Sequence, residues 1–450
     1  MANHDHDGNV SNLARFARVG IAAALLAPLG TGCGGSGGSD SCVAGSGSGM
    51  LTINISGHDP GSVAISGVSA PVTATSTVSA PVGPHTVTAA RVTTANAGIT
   101  SDAYEGTVDN SNPCVRAGAT TVVNVTYKLI PTSGVLWLGV SNAPEGATML
   151  GYLPASVAAS GTVLADAVTN TGGSDGFTFD KAGNMWVLGG TTADPPLARY
   201  PASEFESDAL DKVPDIIIDS PSFGSAIPGP KVVAFDPAGN LWVSVVASDK
   251  VIRFTSAQIA ASGSPTAAVE WTGLPSPQGL AFDASGNLWV AAHDDNTVVR
   301  IDAAHLGASG VGADLGITVQ DPAVSSATPI RFPVSLAFDA VGNLWVNYDG
   351  TLAKIPVADQ AGIGSKMITS PVVITTDPLT LPVGIAFDQD GGLWLADAVN
   401  NFGRFDATQL TTSGLLVRPS RIITSSDVGS AAWFAMYPAP ASLPLYHTVP

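Results

Sequence analysis

The chain's 450 residues are enough for two or three domains of about 150 each, and a mini-protein is excluded. Only 12% of the residues are charged, whereas Gly and Pro number 50 and 32, a balance that suits strands joined by tight turns and argues against long solvated helices or coiled coils. A formal charge of −18 would repel a polyphosphate, so no nucleic-acid partner is expected.

Residues 1–32 carry Arg15 and Arg18, followed by an uncharged stretch over 19–32. That stretch is shorter than the ~20 residues a membrane-crossing helix needs, and it reads as a signal peptide. It ends in Leu29-Gly30-Thr31-Gly32-Cys33, before a flexible Gly/Ser tether that runs to residue 49. This resembles a bacterial lipoprotein signal. The resemblance implies that Cys33, preceded by the small Gly32, is acylated and becomes the mature N-terminus. Gly30 departs from the pattern, since an aliphatic residue usually stands there and Leu29 lies one place further out. A residue other than Asp after Cys33 implies sorting to the outer membrane, with membrane attachment through the lipid alone. Ordinary secretion with Cys33 unmodified is the alternative and shares the exported location.

Cys42 and Cys114 form an even pair in an exported chain, with 71 residues between them. A disulfide there would restrict the unfolded chain by about 4 kcal/mol in the loop-entropy model. Zinc is the weaker alternative, because only His58 and His85 are nearby and the short ligand spacing of zinc sites is missing.

Residues 50–130 alternate apolar and polar positions at 51–55, 62–65, 85–89 and 121–127, with turns at 57–61 and 81–84. Period two means half-buried strands, and the segment is expected to form a small antiparallel β-sandwich. The stretches 51–57, 81–89 and 117–127 resemble the Ig-like or prealbumin-like modules placed after lipoprotein tethers.

Beyond residue 131 the chain repeats itself. TFDKAGNMWV at 178–187 returns as AFDPAGNLWV at 234–243, AFDASGNLWV at 281–290, AFDAVGNLWV at 337–346 and AFDQDGGLWL at 386–395; SGVLWLGV at 133–140 is a partial sixth. The marker tryptophans 137, 186, 242, 289, 345 and 394 are spaced by 49, 56, 47, 56 and 49 residues, about one propeller blade each. Each repeat reads as four strands, the third at 149–152, 197–200, 251–254, 298–301, 352–355 and 402–405. About one helical turn is expected between third and fourth strands, as at 256–263 and 406–410. The first repeat lacks its Phe-Asp strand, and an orphan apolar strand at 431–437 supplies one. The expected fold is therefore all-β, a sandwich followed by a six-bladed propeller over 133–438 closed by the C-terminal strand, with 439–450 as a tail. The glycine-aliphatic-Ala-Phe-Asp, Gly-Asn-Leu-Trp-Val and Val-x-Arg-Phe elements resemble the NHL-repeat and gluconolactonase-like six-bladed propellers.

Asp180, Asp236, Asp283, Asp339 and Asp388 each stand three residues before a glycine, the pattern of a type I turn followed by a bulge, and they read as turn residues rather than as a ring of metal ligands. The marker tryptophans read as packing between blades. Arg199, Arg253, Arg300, Lys354 and Arg404 recur once per blade, which suits inter-blade hydrogen bonds or a solvated edge. No nucleophile-elbow motif accompanies His293, His305 and His447.

Loops that do not repeat must gather at the end opposite those turns, where propellers usually carry function. They fall at 141–145, 189–194, 247–249, 293–296, 347–349 and 397–401, and they are polar and acidic. The candidate ligand-binding residues are His293, Asp294, Asn347, Tyr348, Asp349, Asp397 and Asn400, able to orient a sugar or hold a divalent cation. The sequence fixes no cofactor; Ca2+ is the one candidate, through Asn347 and Asp397. Lactonase-like relatives need several converging acidic and amide ligands, and Ala291, Ala396, Gly139 and Leu188 occupy equivalent strand positions here. A streptogramin-lyase-like activity would need a histidine with a metal-binding acid, and His293 has no Glu beside it. The first expectation is a monomeric recognition module for an extracellular or periplasmic ligand. A metal-dependent hydrolase or lyase is the second, and an envelope spacer that binds nothing the third.

Overall fold

The computed structural model describes residues 42–438 except 97, 142, 144–145, 174, 190–195, 225–229, 322–328, 349, 380 and 400. The expected signal peptide, Cys33, the tether as far as residue 41 and the tail 439–450 lie outside the described residues. Among the described residues no helix is long and apolar enough to cross a membrane. The chain divides into two compact units, residues 1–92 with 105–128, and residues 93–104 with 129–450.

In the first unit the alternation does what period two requires: Leu51, Ile53, Val123 and Val125 are buried while the residues between them are not. Ser48–Ser56 lies between Ser76–Pro81 and Thr120–Leu129 in its sheet. The expectation of an antiparallel sandwich needs correction here, because Ser48–Ser56 runs parallel to Thr120–Leu129, from Met50 opposite Thr120 to Ser56 opposite Thr126. Alternation specifies which face a side chain takes and carries no information on strand direction. Two short ladders, Val63–Ile65 with Val87–Ala89 and Gly83–Pro84 with Cys114–Val115, complete the module. Beside the second, Cys42 and Cys114 form the expected disulfide. Replacing both cysteines by serine is expected to destabilise this module by about 4 kcal/mol, the value for releasing a loop of this length. A denaturant midpoint unchanged by the double substitution, followed through a probe confined to the module, would contradict that.

The second unit is a ring of six blades, whose innermost strands are Ser430–Tyr437, Phe177–Phe179, Pro230–Phe235, Pro277–Phe282, Pro333–Phe338 and Pro382–Phe387. Each neighbours the next, and Pro382–Phe387 meets Ser430–Tyr437 to close the circle. Blade 1 is made from both ends of the unit, since Val135–Ser141 pairs antiparallel with Ser430–Tyr437 and places Trp137 opposite Ala435. The glycine of the repeated motif lies where neighbouring inner strands crowd the axis: a Cβ on Gly279 would sit 2.8 Å from the Val334 carbonyl oxygen.

A second closure runs around the rim. The connection between third and fourth strands of each blade reaches back and pairs in parallel with the outer strand of the preceding blade. Gly310–Val311 lies on Val269–Thr272, Gly364–Thr369 on Leu315–Gln320, Gly414–Val417 on Val373–Thr376 and Gly161–Thr162 on Arg421–Thr424. Single bridges from Asp211 to Asn170 and from Gly263 to Ile218 complete the circuit. The turn expected in these connections forms as a short 3-10 helix at Ala202–Glu206, Val357–Gln360 and Gln409–Thr411, while residues 256–259 make hydrogen-bonded turns.

Candidate functional site

At one end of the propeller the five repeated aspartates cap the turns, as their spacing predicts. Asp236 Oδ1 accepts the amides of Ala238 and Asn240, and Asn240 Nδ2 donates to Oδ2 at 2.9 Å. Gly183, Gly239, Gly286, Gly342 and Gly391 take φ values of 75 to 88° in the bulge that follows. Spacing did not reveal that the same carboxylate also accepts the marker indole: Trp186, Trp242, Trp289, Trp345 and Trp394 each donate Nε1–H to the aspartate six residues earlier. All six marker tryptophans are buried in the blade packing. Arg199, Arg253, Arg300 and Lys354 lie over the indole faces. Arg253 also reaches the Leu306 carbonyl of the next blade, and Arg300 the Gln360 and Gly362 carbonyls, the inter-blade role expected for them.

Blade 6 departs from this pattern in a way its sequence explains. Gly392 stands where other blades have asparagine, and a Cβ there would overlap the guanidinium of Arg404. Arg404 takes the asparagine's place, with Nε 2.6 Å from Asp388 Oδ2 in a buried ion pair.

At the opposite end, Asn347 and Asp397 close the second strands of blades 5 and 6, Leu344–Tyr348 and Leu393–Asp397. They were expected in the loops at 347–349 and 397–401; both lie instead within strands and are buried. Asn347 alternates with Trp345, and Asp397 with Leu393 and Leu395, so all of these face the seam between blades 5 and 6. Asn347 Nδ2 donates to the Pro382 carbonyl at 2.8 Å, and Pro382 pairs with Asp397. Asp397 Oδ1 accepts the amides of Leu381 and Val399. Ser335, opposite Asn347 in register, shares that face. Tyr348 points to the other side of its sheet, into the seam with blade 4, and burial holds its phenol above the ordinary phenol range.

Three oxygens here lack partners among the described residues: Ser335 Oγ, Asn347 Oδ1 and Tyr348 Oη. Ser335 was not legible as a site residue, since it occupies a position held by Gly176, Gly279 and Gly384 in other blades. Its one signal is a hydroxyl within the glycine-aliphatic-Ala-Phe-Asp motif. His293 and Asp294 stand apart, at the surface of blade 4, with Nδ1 and Oδ1 2.8 Å apart. The structure thus brings Asn347 and Asp397 to one seam, turns Tyr348 away from it and leaves His293 and Asp294 as a separate surface pair. Asp349 and Asn400 lie outside the described residues. Among the described residues, no three His, Cys, Asp or Glu side chains gather to hold a metal.

No protein-family model matches this chain, and no curated protein does. Among solved structures, a protein of unknown function from Bacteroides caccae is 10% identical, covering 67% of this chain and 98% of its own, with a TM-score of 0.41. A streptogramin B lyase is 14% identical over 53% of this chain and 66% of its own, TM-score 0.36. A catalytically inactive virginiamycin B lyase from Staphylococcus aureus, bound to quinupristin, is 16% identical over 54% of this chain and 70% of its own, TM-score 0.34.

Proposed function

We propose that this chain is an exported protein, lipid-anchored to the outer membrane through Cys33 and its tether, whose propeller recognises a glycan, metabolite or protein at the loop-bearing end. One observation carries this reading. Of the six buried side-chain atoms without a hydrogen-bond partner among the described residues, three belong to blade 5 at that end. An unsatisfied buried polar atom costs about 1–3 kcal/mol, so Ser335 Oγ and Asn347 Oδ1, which share one face of blade 5 beside variable loops, suit groups kept for a ligand. The residues assigned to the face are His293, Asp294, Asn347, Tyr348 and Asp397, with Asp349 and Asn400 in the same loops by sequence.

A metal-dependent hydrolase or lyase is the second reading, favoured by Asn347 and Asp397 sharing one seam with Ser335. Calcium takes about six to eight oxygen ligands. The described residues offer one carboxylate already accepting two amides, one amide oxygen and one hydroxyl, which falls short of such a shell.

A thermal-shift screen of glycans and metabolites, run with and without Ca2+, separates the readings. At about 100 times Kd a true ligand adds ~2.7 kcal/mol, a shift of several degrees. A shift independent of Ca2+ is expected; one that requires Ca2+ moves the reading to the hydrolase, and no shift with any compound removes recognition. For the anchor, Cys33→Ser should abolish palmitate labelling and release the protein from membranes. Labelling that survives the substitution would overturn that assignment.

A further inference from the structure

Phe332 immediately precedes the inner strand Pro333–Phe338 at the loop-bearing end, and 39% of it is exposed. Its φ is +59°, a left-handed conformation that a bulky side chain rarely adopts. The backbone is held there from the neighbouring blade, since Asn296 Oδ1 accepts the Phe332 amide at 3.1 Å. Asn296 is itself left-handed, at φ +55°. The ring lies against the His293 imidazole, with centroids 5.0 Å apart and planes inclined by 31°. Asp294 Oδ1, an acceptor, fixes the imidazole through Nδ1, and Nε2 takes no part in that bond. Asp294 and Asp295 are exposed beside His293, and Arg331 is exposed beside Phe332.

We propose that Phe332 and His293 form a stacking platform for a neutral sugar ring, whose hydroxyls are met by His293 Nε2, the Asp294 and Asp295 carboxylates and Arg331. This deepens the recognition reading and rests on it. An exposed aromatic ring, kept in place at a backbone cost, stacked on an imidazole and with exposed charged residues adjacent in the chain, offers an apolar face and directional polar contacts to one ligand. A pyranose needs both, because one face of its ring is C–H and its rim is hydroxyl. The adjacent carboxylates and the net charge of −18 disfavour uronate or sulfated sugars.

The test is titration calorimetry of the mature protein with cellotetraose, chitotetraose and, as the acidic comparison, tetragalacturonate. At least one neutral tetrasaccharide should bind, and tetragalacturonate should not. Phe332→Gly removes the ring and relaxes the positive φ, so it should weaken binding about tenfold or more while Tm is unchanged or higher. His293→Ala should weaken binding as well. The platform is overturned if neither neutral sugar binds, if tetragalacturonate binds as tightly, or if Phe332→Gly binds like the parent. In the last case saccharide binding itself keeps the recognition reading alive, whereas that broader reading falls only if the whole ligand screen is silent.

Discussion

Ending the chain after Asp427 is expected to give an insoluble or non-cooperative product, although it removes only 23 residues. The loss includes the innermost strand of blade 1, with Trp433, Phe434, Met436 and Tyr437 all buried. Deleting one large buried aromatic costs about 3–5 kcal/mol, so three of them together approach the ~5–15 kcal/mol that holds a typical domain. The truncation would also free the edge of Val135–Ser141, which would then be open to pairing with other chains. Solubility on expression and the near-ultraviolet circular dichroism melt report the result. Supplying residues 428–438 as a separate, co-expressed segment should restore part of the soluble fraction. A truncated chain that melts cooperatively at the parental temperature would show that closure at blade 1 does not hold the ring.

The second large effect is expected in blade 6. Asp388→Ala would remove the buried partner of the Arg404 guanidinium and leave it only the half-exposed Asp406, a change expected to cost up to about 3–5 kcal/mol, the range for breaking a buried pair. Gly392→Asn, which restores the asparagine of the other blades, should also destabilise, because the new side chain needs the volume Arg404 fills. Combining Gly392→Asn with Arg404→Ala lets the asparagine donate to Asp388 as Asn240 does to Asp236. The pair should therefore cost less than the sum of its single changes, by roughly 1–3 kcal/mol of coupling in a double-mutant cycle. Urea midpoints of the four proteins measure this. Strict additivity would mean that Gly392 and Arg404 do not compete for one space.

Much of the fold was legible because its signals are local and repeated. Asp236 and Gly239 lie three residues apart and meet within one turn, so their spacing carries the whole argument. The tryptophan intervals count the blades, and the missing Phe-Asp strand of the first repeat points to the strand at 431–437. The rim pairings carried no such signal. Gly364–Thr369 pairs with a strand of the preceding blade, in parallel, and nothing in its own six residues names that partner.

The candidate site divides in the same way. The sequence placed His293, Asn347 and Asp397 at the loop-bearing end from strand order alone, and it determined the repeat, the blade number and the turn chemistry. Tertiary structure decided that Asn347 and Asp397 are buried in one seam, that Ser335 joins them, that Tyr348 turns away, and that Phe332 meets His293 across two blades. Side-chain period assigns a residue to one face of its own strand. What that face meets is set by how far each blade is rotated about the ring axis, a property of the closed circle rather than of any segment within it.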